Sequence, residues 1–105
     1  QEYFAGCFGI IAAADCDIQK VRLKVNCGQA NYMRDLPMHE SQQETERTEE
    51  YSIFEYRLRP TFDFQQEILW NGEDVEVLEP LWLRKEIAAK IARMWNKYKY
   101  YENNE

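Results

Sequence analysis

Three observations predict an α+β chain whose core is a ferredoxin-like antiparallel sheet in the split βαβ order βαββαβ, followed by an added long C-terminal helix. First, residues 20–25 alternate strictly, with Val21, Leu23 and Val25 on one face and Lys20, Arg22 and Lys24 on the other, the period of a half-buried strand. Second, Phe54, Tyr56 and Leu58 repeat that period after a polar stretch, so residues 41–59 read as a hairpin. Third, Leu83, Ile87, Ile91, Met94, Trp95 and Tyr98 step by three and four, giving one amphipathic helix of roughly 20 residues.

The remaining elements fall between these. Asn26, with Gln29 three residues on, makes a capping box that opens a short helix over residues 27–34, with Ala30 and Met33 inward and Pro37 ending it. The first hairpin arm, residues 41–48, is nearly all polar and is expected as an exposed edge strand protected by its charges. Asp63 with Gln66 makes a second capping box for a helix to Trp70, with Phe64, Ile68 and Leu69 buried and Asn71-Gly72 closing it. A last short strand spans residues 74–78, and Pro80 suits the first turn of the long helix. Right-handed crossovers place both crossover helices on one sheet face, with the first and third strands side by side at the centre. The expected organisation is a linker or docking segment at 1–19, a βαββαβ core at 20–80, and the amphipathic helix and tail at 81–105.

Composition bounds the function. With 105 residues, 45% of them hydrophobic and 14% aromatic, the chain can bury one core. Its net charge of −6 repels a phosphate backbone, so any nucleic-acid contact needs a local basic patch. Cys7, Cys16 and Cys27 are an odd set without C-x-x-C spacing, and His39 is the only histidine, so reduced thiols are expected rather than a metal site or disulfide framework. Starting at Gln1 without methionine, the chain reads as processed or as a piece of a longer one. No basic residue precedes the apolar stretch 8–14, as a signal peptide would require, and no run reaches the length of a membrane span, so a cytoplasmic location is expected. Tyr3, Phe4, Phe8, Ile10 and Ile11 form an apolar opening segment expected to dock on the rest or on a preceding domain.

No catalytic residue, cofactor or metal site is expected. His39, flanked by Glu40 and Ser41, lies in a string read as extended, where neighbours point to opposite faces and build no triad. Glu40, Glu44, Glu46, Glu49 and Glu50 lack the loop of a calcium site and read as a solvated edge. Two surfaces carry candidate residues. Lys20, Arg22 and Lys24 would stand beside Arg57 and Arg59 as a basic strip on the open sheet face, either an anion or nucleic-acid site or charges that solvate the sheet and pair with Glu55 and Glu76. Trp95, Tyr98, Tyr100 and Tyr101 form either a base-stacking platform or helix core plus a partner surface. Helix core plus dimer contact, with Trp95, Tyr98 and Tyr101 as interface candidates, is preferred because exposed aromatics favour protein association.

Several strings in order resemble one family: Phe8-Gly9-Ile10, Val21-Arg22-Leu23-Lys24-Val25, Pro37-Met38-His39-Glu40-Ser41-Gln42, Asp63-Phe64, and residues 75–84. The chain is similar to the C-terminal extension (WCX) domain of bacterial WYL-domain transcriptional regulators. That resemblance implies a non-enzymatic regulatory and dimerisation domain and a homodimer. It also implies a preceding WYL domain that senses a nucleic-acid ligand, and a winged helix-turn-helix domain that binds DNA. The Trp-Tyr-Leu signature is absent, since Trp82-Leu83 lacks the tyrosine. The alternative is a stand-alone ferredoxin-like module binding a small anion or single-stranded nucleic acid on its basic face.

Overall fold

A computed structural model describes residues 17–103, with side chains described to residue 99. The opening apolar segment, Cys7 and Cys16, and the side chains of Tyr100 and Tyr101 lie outside the described residues. The elements are β1 (Gln19–Asn26), α1 (Cys27–Asp35), β2 (Gln43–Arg47), β3 (Tyr51–Leu58), α2 (Phe62–Trp70), β4 (Val75–Glu79) and α3 (Leu81–Asn103), with one 3-10 turn over Gly72–Asp74. The four strands are antiparallel in the order β2-β3-β1-β4, the α+β arrangement that the alternation predicts.

The period of two decides which face is buried. Val21, Leu23 and Val25 of β1 are fully buried, and β3 contributes Phe54, Tyr56 and Leu58 from the same side. Val75 and Val77 of β4, Ala30 and Met33 of α1, Phe64 and Ile68 of α2, and Leu83 and Ile87 of α3 complete one core cluster. The Tyr56 and Phe64 rings meet edge to face at 6.0 Å, binding sheet to helix layer. Burying a leucine such as Leu23 stabilises by roughly 1.5–3 kcal/mol over leaving it exposed, so the in-phase face of β1 fixes its register. Ile53 is the exception. It sits on the open face, between Lys24 and Glu46 in register, yet is only 5% exposed.

Local chemistry departs from the expected capping. Asn26 occupies the N-cap of α1, but its side chain makes no cap; its Nδ2 donates to Asp74 Oδ1 (3.1 Å), and Gln29 Nε2 donates to Asn71 Oδ1 (2.6 Å). The Cys27 N–H is satisfied instead by the Glu50 carbonyl in the hairpin turn (2.9 Å). At α2 the cap is Thr61, which accepts from the Phe64 N–H, rather than Asp63, which lies within the first turn. At α1 tertiary partners outcompete the local capping box, and at α2 a neighbouring residue takes the cap instead. Leu69 is only half-buried, with Gln65 taking the third inward position.

Gly72 takes φ +60°, the left-handed conformation that lets the chain turn from α2 into β4. Pro80, joined to Glu79 by a cis peptide bond, sits immediately before α3, and its carbonyl accepts from the Leu83 and Arg84 N–H groups. The first hairpin arm is shorter than expected, Gln43–Arg47, but it is an exposed edge strand. Among the described residues, no helix is long and apolar enough to cross a membrane.

Candidate functional site

The open sheet face carries the basic strip. In register, Lys20 stands opposite Arg57, Arg22 opposite Glu55, and Lys24 opposite Ile53. Arg59 lies one residue beyond β3. Acidic neighbours interleave with these cations. Arg22 reaches Glu79 across the β1–β4 bulge (3.4 Å), and Arg57 lies 4.0 Å from Glu55. Glu76 pairs with Arg84 (2.7 Å), a residue that also donates to the Val77 carbonyl and so fastens α3 to β4. Lys24 Nζ sits 4.5 Å from the Tyr51 ring centroid, and the Tyr51 hydroxyl donates to Glu46 (3.2 Å), whose charge raises the phenol's pKa. Four cations of the face, Lys20, Arg22, Lys24 and Arg57, are thus set among four carboxylates, Glu46, Glu55, Glu76 and Glu79. Exposed pairs of this kind contribute about 0–1 kcal/mol each, so the arrangement mainly cancels the field of the strip. The unbalanced corner is the one where Lys20 faces Arg57.

The string 37–42 folds as a turn, which corrects the extended reading of it. His39 Nδ1 accepts from the Ser41 N–H (3.0 Å) and lies 2.8 Å from Ser41 Oγ, which itself accepts from the Arg57 N–H (3.0 Å). Ser41 Oγ is therefore tied to β3, and the pair pins the connector to the sheet. Gln42 completes the clasp. Its Oε1 accepts from the Tyr56 hydroxyl (2.6 Å) and the Met38 N–H (3.1 Å), while its Nε2 donates to the Met33 carbonyl (2.9 Å). One side chain thus joins the end of α1, the connector and the core. Burial pushes the Tyr56 phenol above its ordinary range, so it remains a donor.

Glu44 lies on the exposed edge strand as expected, but sequence reasoning missed its partners. Its carboxylate accepts two bonds from the Arg34 guanidinium (2.8 and 2.7 Å) and one from the buried Ser52 hydroxyl. Arg34 and Ser52, with Asn31, close the network from α1 and β3. The Arg34 bonds hold the Glu44 carboxyl well below the usual range, at about 2. Its partners lie 10 and 8 residues away, so no local spacing signals the cluster. Among the described residues no group of His, Cys, Asp and Glu is arranged to hold a metal ion, and Cys27 is exposed at the start of α1.

Helix α3 divides in two. Leu83 and Ile87 are in the core, and Trp82 Nε1 donates to Gln19 Oε1 (2.9 Å), seating the first turns against β1. Beyond them the stripe loses its cover. Ile91, Met94, Trp95 and Tyr98 are 50, 49, 56 and 70% exposed. Tyr101 continues the helix backbone, with its side chain outside the described residues.

The sequence model of the WCX domain matches residues 17–95, from just before β1 to Trp95 in the uncovered part of α3. The chain belongs to the WCX-domain family. The match takes in every strand and crossover helix, so the whole sheet and its open face are WCX features rather than a decoration on another domain. Among curated proteins, none matches this WCX domain.

Proposed function

We propose that this WCX domain is the C-terminal regulatory and dimerisation domain of a WYL-type DNA-binding transcription regulator, without catalytic activity of its own. The observation that carries the reading is the bare apolar face of α3 past Ile87 on a member of a regulator-associated family. Four adjacent large apolar side chains on one helix face cost free energy in water, and aromatic residues and methionine are enriched in the cores of protein interfaces. Trp95, Tyr98 and Tyr101 are the dimer contacts in this reading, and the preceding WYL and winged helix-turn-helix domains supply ligand sensing and DNA binding. A cytoplasmic location follows from that role.

Sedimentation equilibrium of the 105-residue chain at micromolar concentration is the test. A homodimer is expected, with Trp95→Ala the most damaging single change to association. A monomer at all concentrations would remove dimerisation from this domain and leave the preceding domains as its source. A second reading, anion or single-stranded nucleic-acid binding on the sheet face, is favoured by one feature alone, the like-charged cross-strand pair of Lys20 and Arg57.

A further inference from the structure

The helix layer carries a second set of exposed large apolar side chains, here beside a polar groove. Between α1 and α2 lies a groove of about 280 Å³ whose lining includes Tyr32, Leu36, Met38, Glu67 and Trp70. Tyr32 and Leu36 are more than half exposed, and Trp70, at 86%, is the most exposed large hydrophobic residue described. The groove's one charged lining residue is a carboxylate, Glu67, and Asp35 ends α1 beside the lining residue Leu36. Arg34 is the only basic residue on either helix, and its guanidinium is committed to Glu44.

The distal half of α3 has the opposite character. From residue 88 to 99 it carries Lys90, Arg93, Lys97 and Lys99 and no carboxylate, around the apolar stripe of Ile91, Met94, Trp95 and Tyr98. Lys90 is already placed over the Phe62 ring, 5.2 Å from its centroid, which leaves Arg93, Lys97 and Lys99 as the outward basic set. The stripe runs about 10 Å along the helix at 1.5 Å per residue, a length suited to a short inter-helical groove.

We infer that the distal half of α3 seats in the α1–α2 groove of a second copy of this chain, and that the partner's helix returns the contact. The inference rests on the dimerisation reading and adds the surface that receives the helix. The occupant is a second copy because one chain carries both halves of a complementary pair: a basic amphipathic helix and an acidic aromatic groove. A two-fold axis uses each half twice, residue i meeting j while j meets i, which closes the assembly at two. Charge disfavours α3 packing on its own symmetry mate, since that would bring Lys97 and Lys99, which flank the stripe, toward those of the other helix. The helix-in-groove contact instead neutralises local fields within a chain whose net charge of −6 otherwise opposes self-association.

Sedimentation equilibrium on the full 105-residue chain and its variants tests this, with circular dichroism and thermal melting to verify the fold. Trp70→Ala and Trp95→Ala should each raise the dimer dissociation constant at least tenfold without changing the circular dichroism spectrum, because both side chains are more than half exposed. Glu67→Lys, at another exposed groove position, should weaken the dimer as well. An equimolar mixture of Trp70→Ala and Trp95→Ala chains should associate more tightly than either alone, since the mixed pair retains one intact helix and one intact groove facing each other. If Trp95→Ala weakens the dimer while Trp70→Ala and Glu67→Lys leave it unchanged, the helices meet elsewhere; the groove inference then fails and dimerisation stands. No gain on mixing would overturn the reciprocal arrangement. A monomeric wild type would overturn both the inference and the reading beneath it.

Discussion

Glu44 ties three elements together through one carboxylate, and its ionisation makes the fold pH-dependent. Its folded pKa of about 2 lies below the ordinary value of 4.5, so the unfolded chain binds the proton more readily. The contribution is complete above pH about 4.5 and is lost as pH falls through about 2. With both partners partly solvated, we set the cost of Glu44→Gln at about 1 kcal/mol at neutral pH, or roughly 4–8 °C in melting temperature. The difference between wild type and variant should shrink toward pH 2; a gap that stays constant across a pH series of thermal melts would contradict the assignment. Gln42 offers a second residue-scale test. Tyr56→Phe removes one hydrogen bond and should cost about 1 kcal/mol, whereas Gln42→Ala strands the buried Tyr56 hydroxyl and the Met33 carbonyl and should cost about 2–3 kcal/mol. Urea titration of both single variants and the double should give a double-variant cost smaller than the sum, because they share one bond.

At the scale of elements, the strands follow their own alternation while the helix starts obey their neighbours. β1 alternates in the sequence and in burial alike, because its two faces meet such different surroundings that a one-residue slip would expose Val21, Leu23 and Val25 together. The N-caps lacked that certainty. A capping box is worth only about 1 kcal/mol, and at Asn26 the contact with Asp74 wins the side chain while Glu50 supplies the backbone partner. Thr61→Ala is expected to cost about 1 kcal/mol through loss of the α2 cap, and Asp63→Ala only a few tenths, through the helix dipole alone. Denaturant melts that reversed this order would restore the capping box at Asp63.

At the scale of the whole molecule, charge is sorted by surface: balanced on the open sheet face, acidic on α2, and basic along α3. The basic strip gains little free field from its position because Glu55, Glu76 and Glu79 share the face. If the strip nevertheless binds nucleic acid, replacing Arg22 and Arg57 with alanine should weaken binding of a short single-stranded oligonucleotide by this protein and flatten its salt dependence. A fluorescence titration with unchanged affinity and slope would leave these arginines as solvating charges.

By itself the sequence determined the strand phases, the antiparallel βαββαβ order, the polar edge strand and the division of α3 into a stripe longer than one small sheet can cover. These follow from periodicity, which a chain carries locally, and from lengths, which follow from residue counts. Only the tertiary structure decided the rest. The Glu44–Arg34–Ser52 network, the Gln42 clasp and the α1–α2 groove each join residues from elements separated in the chain, and no local pattern encodes such meetings. The same reason explains the turn at His39 and Ser41. Its shape is set by the Arg57 N–H and the Tyr56 hydroxyl on β3, partners that the string itself does not contain.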